Sequence, residues 1–65
     1  MTIRVVIADD HLLFRSGLAA LLRREGEIEI AGEAGNSDEV LEQLSRTPVD
    51  VLLLDLTMAG SLSGP

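Results

Sequence analysis

Val51-Leu52-Leu53-Leu54-Asp55 is a run of four large apolar residues that ends in a carboxylate. An uninterrupted apolar run of this length is typical of a strand covered on both faces, as in parallel α/β sheets. Open α/β sheets bind their ligands at the carboxyl ends of the strands. We therefore take Asp55 as the centre of a candidate site and interpret the rest of the chain by how it would position this residue.

The composition indicates one small folded domain, with 65 residues, 46% of them hydrophobic, and no cysteine. The net charge of −6 disfavours direct binding of this segment to nucleic acid or to an anionic membrane. No apolar run approaches the length of a membrane span, and the N-terminus lacks the pattern of a secretory signal. We therefore expect a cytoplasmic location.

Two strands and two helices are predicted before the apolar run. Right-handed crossovers in the order β-α-β-α-β give a parallel sheet with the strand order 2-1-3 and one helix on each face. Asp10 is expected to cap the first helix, and Asn36 has capping-box spacing to Glu39 in the second. The predicted bounds are 3–8, 28–34 and 51–55 for the strands, and 11–25 and 38–45 for the helices.

Three carboxylates are expected to converge at one edge of this sheet. Asp9 and Asp10 follow the first strand, which lies beside the third strand and therefore beside Asp55. Clustered carboxylates repel one another unless a cation or a raised pKa relieves the repulsion. Carboxylates suit Mg²⁺, and a carboxylate can attack phosphorus when a metal neutralises the phosphoryl oxygens. The pattern thus favours a magnesium site in which Asp55 accepts a phosphoryl group.

Each of these residues also has a purely structural interpretation. Asp10 alone is a helix cap, Asp9 a solvated turn residue, and Asp55 the end of a strand. His11 is interpreted as a residue of the first helical turn rather than a metal ligand, because the chain holds no second histidine.

Several segments together resemble a known family. They are Ile3-Arg4-Val5-Val6-Ile7-Ala8-Asp9-Asp10-His11, Phe14-Arg15-Ser16-Gly17-Leu18, Ala31-Gly32-Glu33-Ala34 and Pro48-Val49-Asp50-Val51-Leu52-Leu53-Leu54-Asp55-Leu56-Thr57-Met58. The chain resembles the N-terminal part of the receiver domain of bacterial two-component response regulators, and its Ala8-Asp9-Asp10-His11 opening is most similar to the LuxR/FixJ-type transcription regulators. The resemblance implies a flavodoxin-like receiver fold, with residues 1–60 forming a partial receiver domain and residues 61–65 an irregular tail.

The resemblance also implies roles for individual residues. Asp55 would be the phosphoacceptor for the phosphohistidine of a sensor histidine kinase. Asp10 and Asp55 would give carboxylates to Mg²⁺, Asp9 would act mainly through a metal-bound water, and Thr57 would offer its main-chain carbonyl. Such a receiver is not an enzyme; it controls a transcription output domain, and DNA binding is expected of that domain.

Departures from the family pattern lead to further expectations. The hydroxyl residue after strand four and the lysine after strand five have no counterpart here, and Ala59 stands where the family usually has proline. We therefore expect weak Mg²⁺ binding and poor phosphorylation. The uncovered edge of the third strand predicts a homodimer. The alternatives are an inactive structural half-domain and an Asp-nucleophile, Mg²⁺-dependent phosphatase; Thr57 disfavours the latter, because such enzymes usually place a second aspartate there.

Overall fold

The structure is a computed structural model that describes residues 1–55. The elements are β1 (Ile3–Ala8), α1 (Leu12–Arg23), β2 (Ile28–Ala34), α2 (Ser37–Arg46) and β3 (Val51–Leu54). The predicted order is confirmed, and β1 and β2 have the predicted bounds. Thr57, Ala59 and the segment 61–65 lie outside the described residues, so what the sequence predicts for them stays a prediction.

The three strands form a parallel sheet in the order β2-β1-β3, as predicted. The central position of β1 explains its uninterrupted apolar sequence, because its residues from Val5 to Ala8 are at most 3% exposed. Ala8 pairs with Ala34 on one side and with Leu54 on the other. The carboxyl ends of all three strands therefore meet at one edge of the sheet.

The two helices cover opposite faces of this sheet, again as predicted. On one face, Ala19 of α1 packs in a cluster with Val5 and Ile7 of β1. On the other face, Val40 of α2 packs with Ala8 and Ala34. The alternation of side chains along β1 thus supplies both halves of the core. Neither helix in the described range is long and apolar enough to cross a membrane.

Helix α1 begins one residue later than predicted, and the prediction that Asp10 caps it is wrong. The cap position is His11, and its side chain makes no capping hydrogen bond. The main-chain N–H of His11 instead donates to Oδ1 of Asp9 at 2.8 Å. This local turn delays the helix and leaves the Asp10 carboxylate free of a capping role.

Helix α2 begins with Asn36 as its cap, as predicted, and with Glu39 at the predicted spacing from it. The Asn36 side chain accepts a hydrogen bond from the main-chain N–H of Glu39 at 2.9 Å. The Glu39 side chain reaches back and accepts from the main-chain N–H of Gly35 at 2.7 Å. These two contacts satisfy main-chain donors at the start of the helix and fix the turn that follows β2.

We expect Asn36→Ala to lower the free energy of unfolding by about 1 kcal/mol, because it removes the cap of α2. Urea denaturation followed by circular dichroism would measure the loss. Ser45→Ala is the control: the exposed Ser45 hydroxyl donates to the Glu42 carbonyl in the last turn, and its removal should change stability by less than about 0.5 kcal/mol. Equal stability of Asn36→Ala and the unmodified chain would contradict the role of this cap.

Candidate metal site

The site is built where the sheet hydrogen bonds continue one residue past the strands. The main-chain N–H of Asp9 donates to the carbonyl of Ala34, and that of Asp55 donates to the carbonyl of Ala8, each at 3.0 Å. Both acids therefore have a fixed main chain at the carboxyl edge of the sheet. This is the edge where the sequence predicts the site.

Four side chains come together at this edge. Asp9, Asp10, His11 and Asp55 each offer one oxygen or nitrogen atom, and these atoms all lie within 4.8 Å of one another. The predicted convergence of the three aspartates is confirmed. Asp9 is buried, with 7% of its surface exposed, Asp55 is half-buried, and Asp10 and His11 are exposed.

His11 takes part in this cluster, which its interpretation as a first-turn helix residue missed. Its Nδ1 atom lies 2.9 Å from Oδ1 of Asp9 and 2.9 Å from Oδ1 of Asp10. The signal in the sequence is that His11 directly follows Asp9 and Asp10. The loop between β1 and α1 is too short to separate its imidazole from their carboxylates. In the absence of a metal, a protonated His11 would be the cation nearest to these two carboxylates.

The contacts between these residues shift the pKa values of two of them. The main-chain N–H of His11 stabilises the ionised carboxylate of Asp9 and lowers its pKa; burial opposes this shift, and the His11 ring adds to it. The pKa of His11 is raised, first by its hydrogen bond to Asp9 and then by the charge of Asp10. Both directions favour an ion pair between the ring and the acids.

One carboxylate oxygen in the cluster is buried and unpaired in the part of the chain that the structure describes. Oδ2 of Asp55 is buried and has no hydrogen-bond partner within residues 1–55. A buried, unpaired carboxylate oxygen is costly, and coordination of a cation is one way to satisfy it. Together with the neighbouring carboxylates, it forms a set of hard oxygen donors of the kind that Mg²⁺ prefers. The residues at this edge therefore fit a divalent metal ion.

An apolar cavity of about 370 Å³ adjoins the site. Asp9 and Asp55 form part of its wall, and Phe14 and Leu18 of α1 with Leu53 of β3 form another part. An apolar wall lowers the local dielectric constant, which strengthens the interaction of the carboxylates with any cation bound among them.

The sequence of this chain is similar to the sequences of several bacterial regulatory proteins. The chain is 43% identical over 58 residues to the transcriptional regulatory protein LiaR of Bacillus subtilis (strain 168), a match that covers 89% of this chain and 28% of LiaR. It is 40% identical over 57 residues to the nitrate/nitrite response regulator protein NarP of Escherichia coli (strain K12), covering 88% of this chain and 26% of NarP. It is also 41% identical over 58 residues to the probable transcriptional regulatory protein NarL of Mycobacterium tuberculosis (strain ATCC 25618 / H37Rv), with coverage of 89% and 27%.

These matches confirm the resemblance to LuxR/FixJ-type regulators. The chain spans between 26% and 28% of the length of these three curated relatives. No solved structure gives a significant match. The sequence model described as "Response regulator receiver domain" matches residues 5–65, which is nearly the whole chain. The chain belongs to the response regulator receiver domain family.

Proposed function

We propose that this chain is the phosphoacceptor module of a two-component response regulator, with Asp55 as the residue that takes the phosphoryl group. The observation that supports this assignment best is the surroundings of Asp55. Its carboxylate has a buried oxygen with no hydrogen-bond partner among residues 1–55, and it lies within 4.8 Å of ligand atoms of Asp9 and Asp10. Receiver domains of transcription regulators are generally not enzymes. We assign this chain the same character: it is a substrate that receives one phosphoryl group, not a catalyst.

We propose Mg²⁺ as the metal of this site, with Asp10 and Asp55 as direct ligands and Asp9 acting through a bound water. The main-chain carbonyl of Thr57, outside the described residues, would complete the protein ligands. When bound, the ion would offset the negative charge of the phosphoryl oxygens, which otherwise repel the attacking carboxylate.

The part of Asp55 in the reaction is nucleophilic attack. One carboxylate oxygen forms a bond to phosphorus, the bond between phosphorus and the histidine nitrogen of the donor breaks, and that nitrogen keeps the electron pair. The hydrogen bond from the Asp55 main chain to Ala8 holds the nucleophile at the sheet edge. Phosphoryl transfer depends mainly on such positioning and on electrostatic stabilisation.

The partners follow from the same proposal. The phosphoryl donor would be a sensor histidine kinase, and the receiver would control a DNA-binding output domain elsewhere in the regulator. We also keep the proposal of a homodimer through β3. In its support, no other strand among residues 1–55 pairs with the outer edge of β3.

Titration with Mg²⁺, followed by NMR of the main-chain amides, should give weak but saturable shifts at Asp9, Asp10 and Asp55. Asp10→Asn should weaken binding about tenfold or more, because it removes a charged ligand. Asp50→Asn is the control, since Asp50 lies at the opposite end of β3, where its side chain accepts from the main chain of Arg4. Dispersed spectra without saturable shifts would favour the inactive half-domain.

Incubation with acetyl phosphate and Mg²⁺ should add one phosphoryl group, at low yield, to the 65-residue chain. Asp55→Asn should abolish the addition because the amide is not a nucleophile toward phosphorus, and Asp50→Asn should leave it unchanged. Intact-mass spectrometry and peptide mapping would give the yield and the position. Modification of another residue, or equal modification of Asp55→Asn, would contradict the assignment of Asp55.

The two pKa shifts define the pH range in which the metal-free site is held together. The pKa of His11 lies above 6.5, so its contribution to stability is fully present below pH 6.5 and is lost as the pH rises through the raised value. The pKa of Asp9 lies below 3.8, so its contribution is present above pH 3.8 and is lost as the pH falls through the lowered value. Both contributions are present together between these two limits.

His11 is the single histidine of the chain, so its titration can be followed without ambiguity. In buffer without divalent cations, we expect the midpoint of its ring resonances above pH 6.5. Asp9→Asn should lower this midpoint, because it removes the ionised hydrogen-bond partner of the ring. Asp50→Asn should have no such effect. A midpoint at or below the ordinary value in the unmodified chain would show that the ring does not pair with these acids in solution.

A further inference from the structure

Arg15 contacts the site but is not one of the four side chains whose atoms could bind a metal. Its Nη1 atom donates to the main-chain carbonyl of Asp9 at 2.7 Å, and its Nε atom donates to Oε1 of Glu33 at 3.1 Å. Only 16% of the Arg15 side chain is exposed. A guanidinium with two directed hydrogen bonds and little exposure has a well-defined position, unlike a solvated arginine on a helix surface.

The hydrogen bond from Arg15 to the Asp9 carbonyl adds to the contacts that hold Asp9 in place. The N–H of Asp9 is bound to β2 through Ala34, and its carboxylate is bound to His11. With the carbonyl held as well, the N–H, the carbonyl and Oδ1 of Asp9 each have a partner. Because the peptide between Asp9 and Asp10 is planar, fixing the Asp9 carbonyl also fixes the orientation of the Asp10 main chain.

The end of β2 accommodates the guanidinium. Glu33 accepts from Nε of Arg15, and the other Glu33 oxygen lies 3.9 Å from Nη2 of Arg23. A Cβ atom at Gly35 would lie 2.8 Å from Nη1 of Arg15, so the absence of a side chain there leaves room for the arginine. Arg15 thereby connects the first turn of α1, the end of β1 and the end of β2.

We propose that Arg15 is a positioning residue for the acid site, acting through the Asp9 carbonyl to place the carboxylates of Asp9 and Asp10 for a divalent cation. This inference rests on the proposed function, because it assumes that the site binds Mg²⁺. Glu33 and Gly35 serve the same role by orienting the guanidinium and leaving space for it.

The charge of Arg15 and its positioning role have opposite effects on metal binding. A cation beside the site repels Mg²⁺, so removing the charge alone should tighten Mg²⁺ binding. Loss of the hydrogen bond to Asp9 should instead weaken binding, because the ligands are no longer held in place. The direction of the change therefore distinguishes the two roles.

The test is Mg²⁺ titration, by amide NMR, of the unmodified chain, Arg15→Met, Arg15→Lys and Arg23→Met. We expect Arg15→Met to weaken binding about tenfold. Arg15→Lys, which keeps the charge but cannot form both hydrogen bonds with the same geometry, should give a smaller loss. Arg23→Met is the matched control: it removes the same charge from the same helix next to the same Glu33, and Arg23 makes no hydrogen bond to Asp9 within the described residues. It should leave binding unchanged or slightly tighter.

The inference would be overturned if Arg15→Lys binds Mg²⁺ as the unmodified chain does and Arg15→Met binds it equally or more tightly. Arg15 would then act on Mg²⁺ binding only through its charge. If Arg15→Met fails to fold, Arg15→Lys decides: weaker binding, with shift changes in the metal-free state centred on Asp9 and Asp10, supports positioning, and binding equal to that of the unmodified chain overturns it. If the unmodified chain itself does not bind Mg²⁺, the proposed function fails and this inference with it. Normal Mg²⁺ binding that is insensitive to Arg15 removes this inference only.

Discussion

Parallel pairing on both sides of β1 is the constraint on which this site depends. A strand at the centre of the sheet ends between two neighbours, so the acids that follow β1 lie beside the acid that follows β3. The right-handed crossovers that produce this order also place the two helices on opposite faces, and the core of each face is then built from alternate residues of β1. The grouping of the acids at the edge and the packing of the core thus both follow from the central position of β1 in the sheet.

The cost of this arrangement is electrostatic. Three carboxylates at one edge repel one another, and among the described residues two basic side chains contact Asp9 in different ways. The Nδ1 atom of His11 lies against the carboxylate oxygens themselves, 2.9 Å from Asp9 and 2.9 Å from Asp10. Arg15 leaves those oxygens free and bonds to the main chain behind them. The permanent positive charge of Arg15 thus lies on the main-chain side of the cluster.

Much of this could be predicted from the sequence, because the informative signals are local or follow from topology. The apolar runs place β1 and β3, the capping box places α2, and the crossover rule brings Asp9, Asp10 and Asp55 together. The start of α1 is predicted one residue too early, because the Asp9 carboxylate accepts from the main-chain N–H of His11 and forms a local turn before the helix. The sequence does not show which of two consecutive aspartates bonds to the main chain. The contacts of Arg15 with Asp9 and Glu33 depend on side-chain reach across two strand ends, which no periodicity or spacing in the sequence encodes.

The position of β1 in the sheet also governs the order in which the domain can assemble. Of these three strands, the central one is synthesised before the other two. Its pairing with β3 joins segments far apart in sequence: Arg4 and Asp50, which are bonded to each other, are separated by 46 positions. Contacts of such long range close slowly, because the loop entropy is lost before the contact is gained. On the ribosome, β1 must therefore wait for β3 to emerge before its second edge is covered. The acid cluster needs the ends of both strands, so it cannot be complete before β1 and β3 have paired.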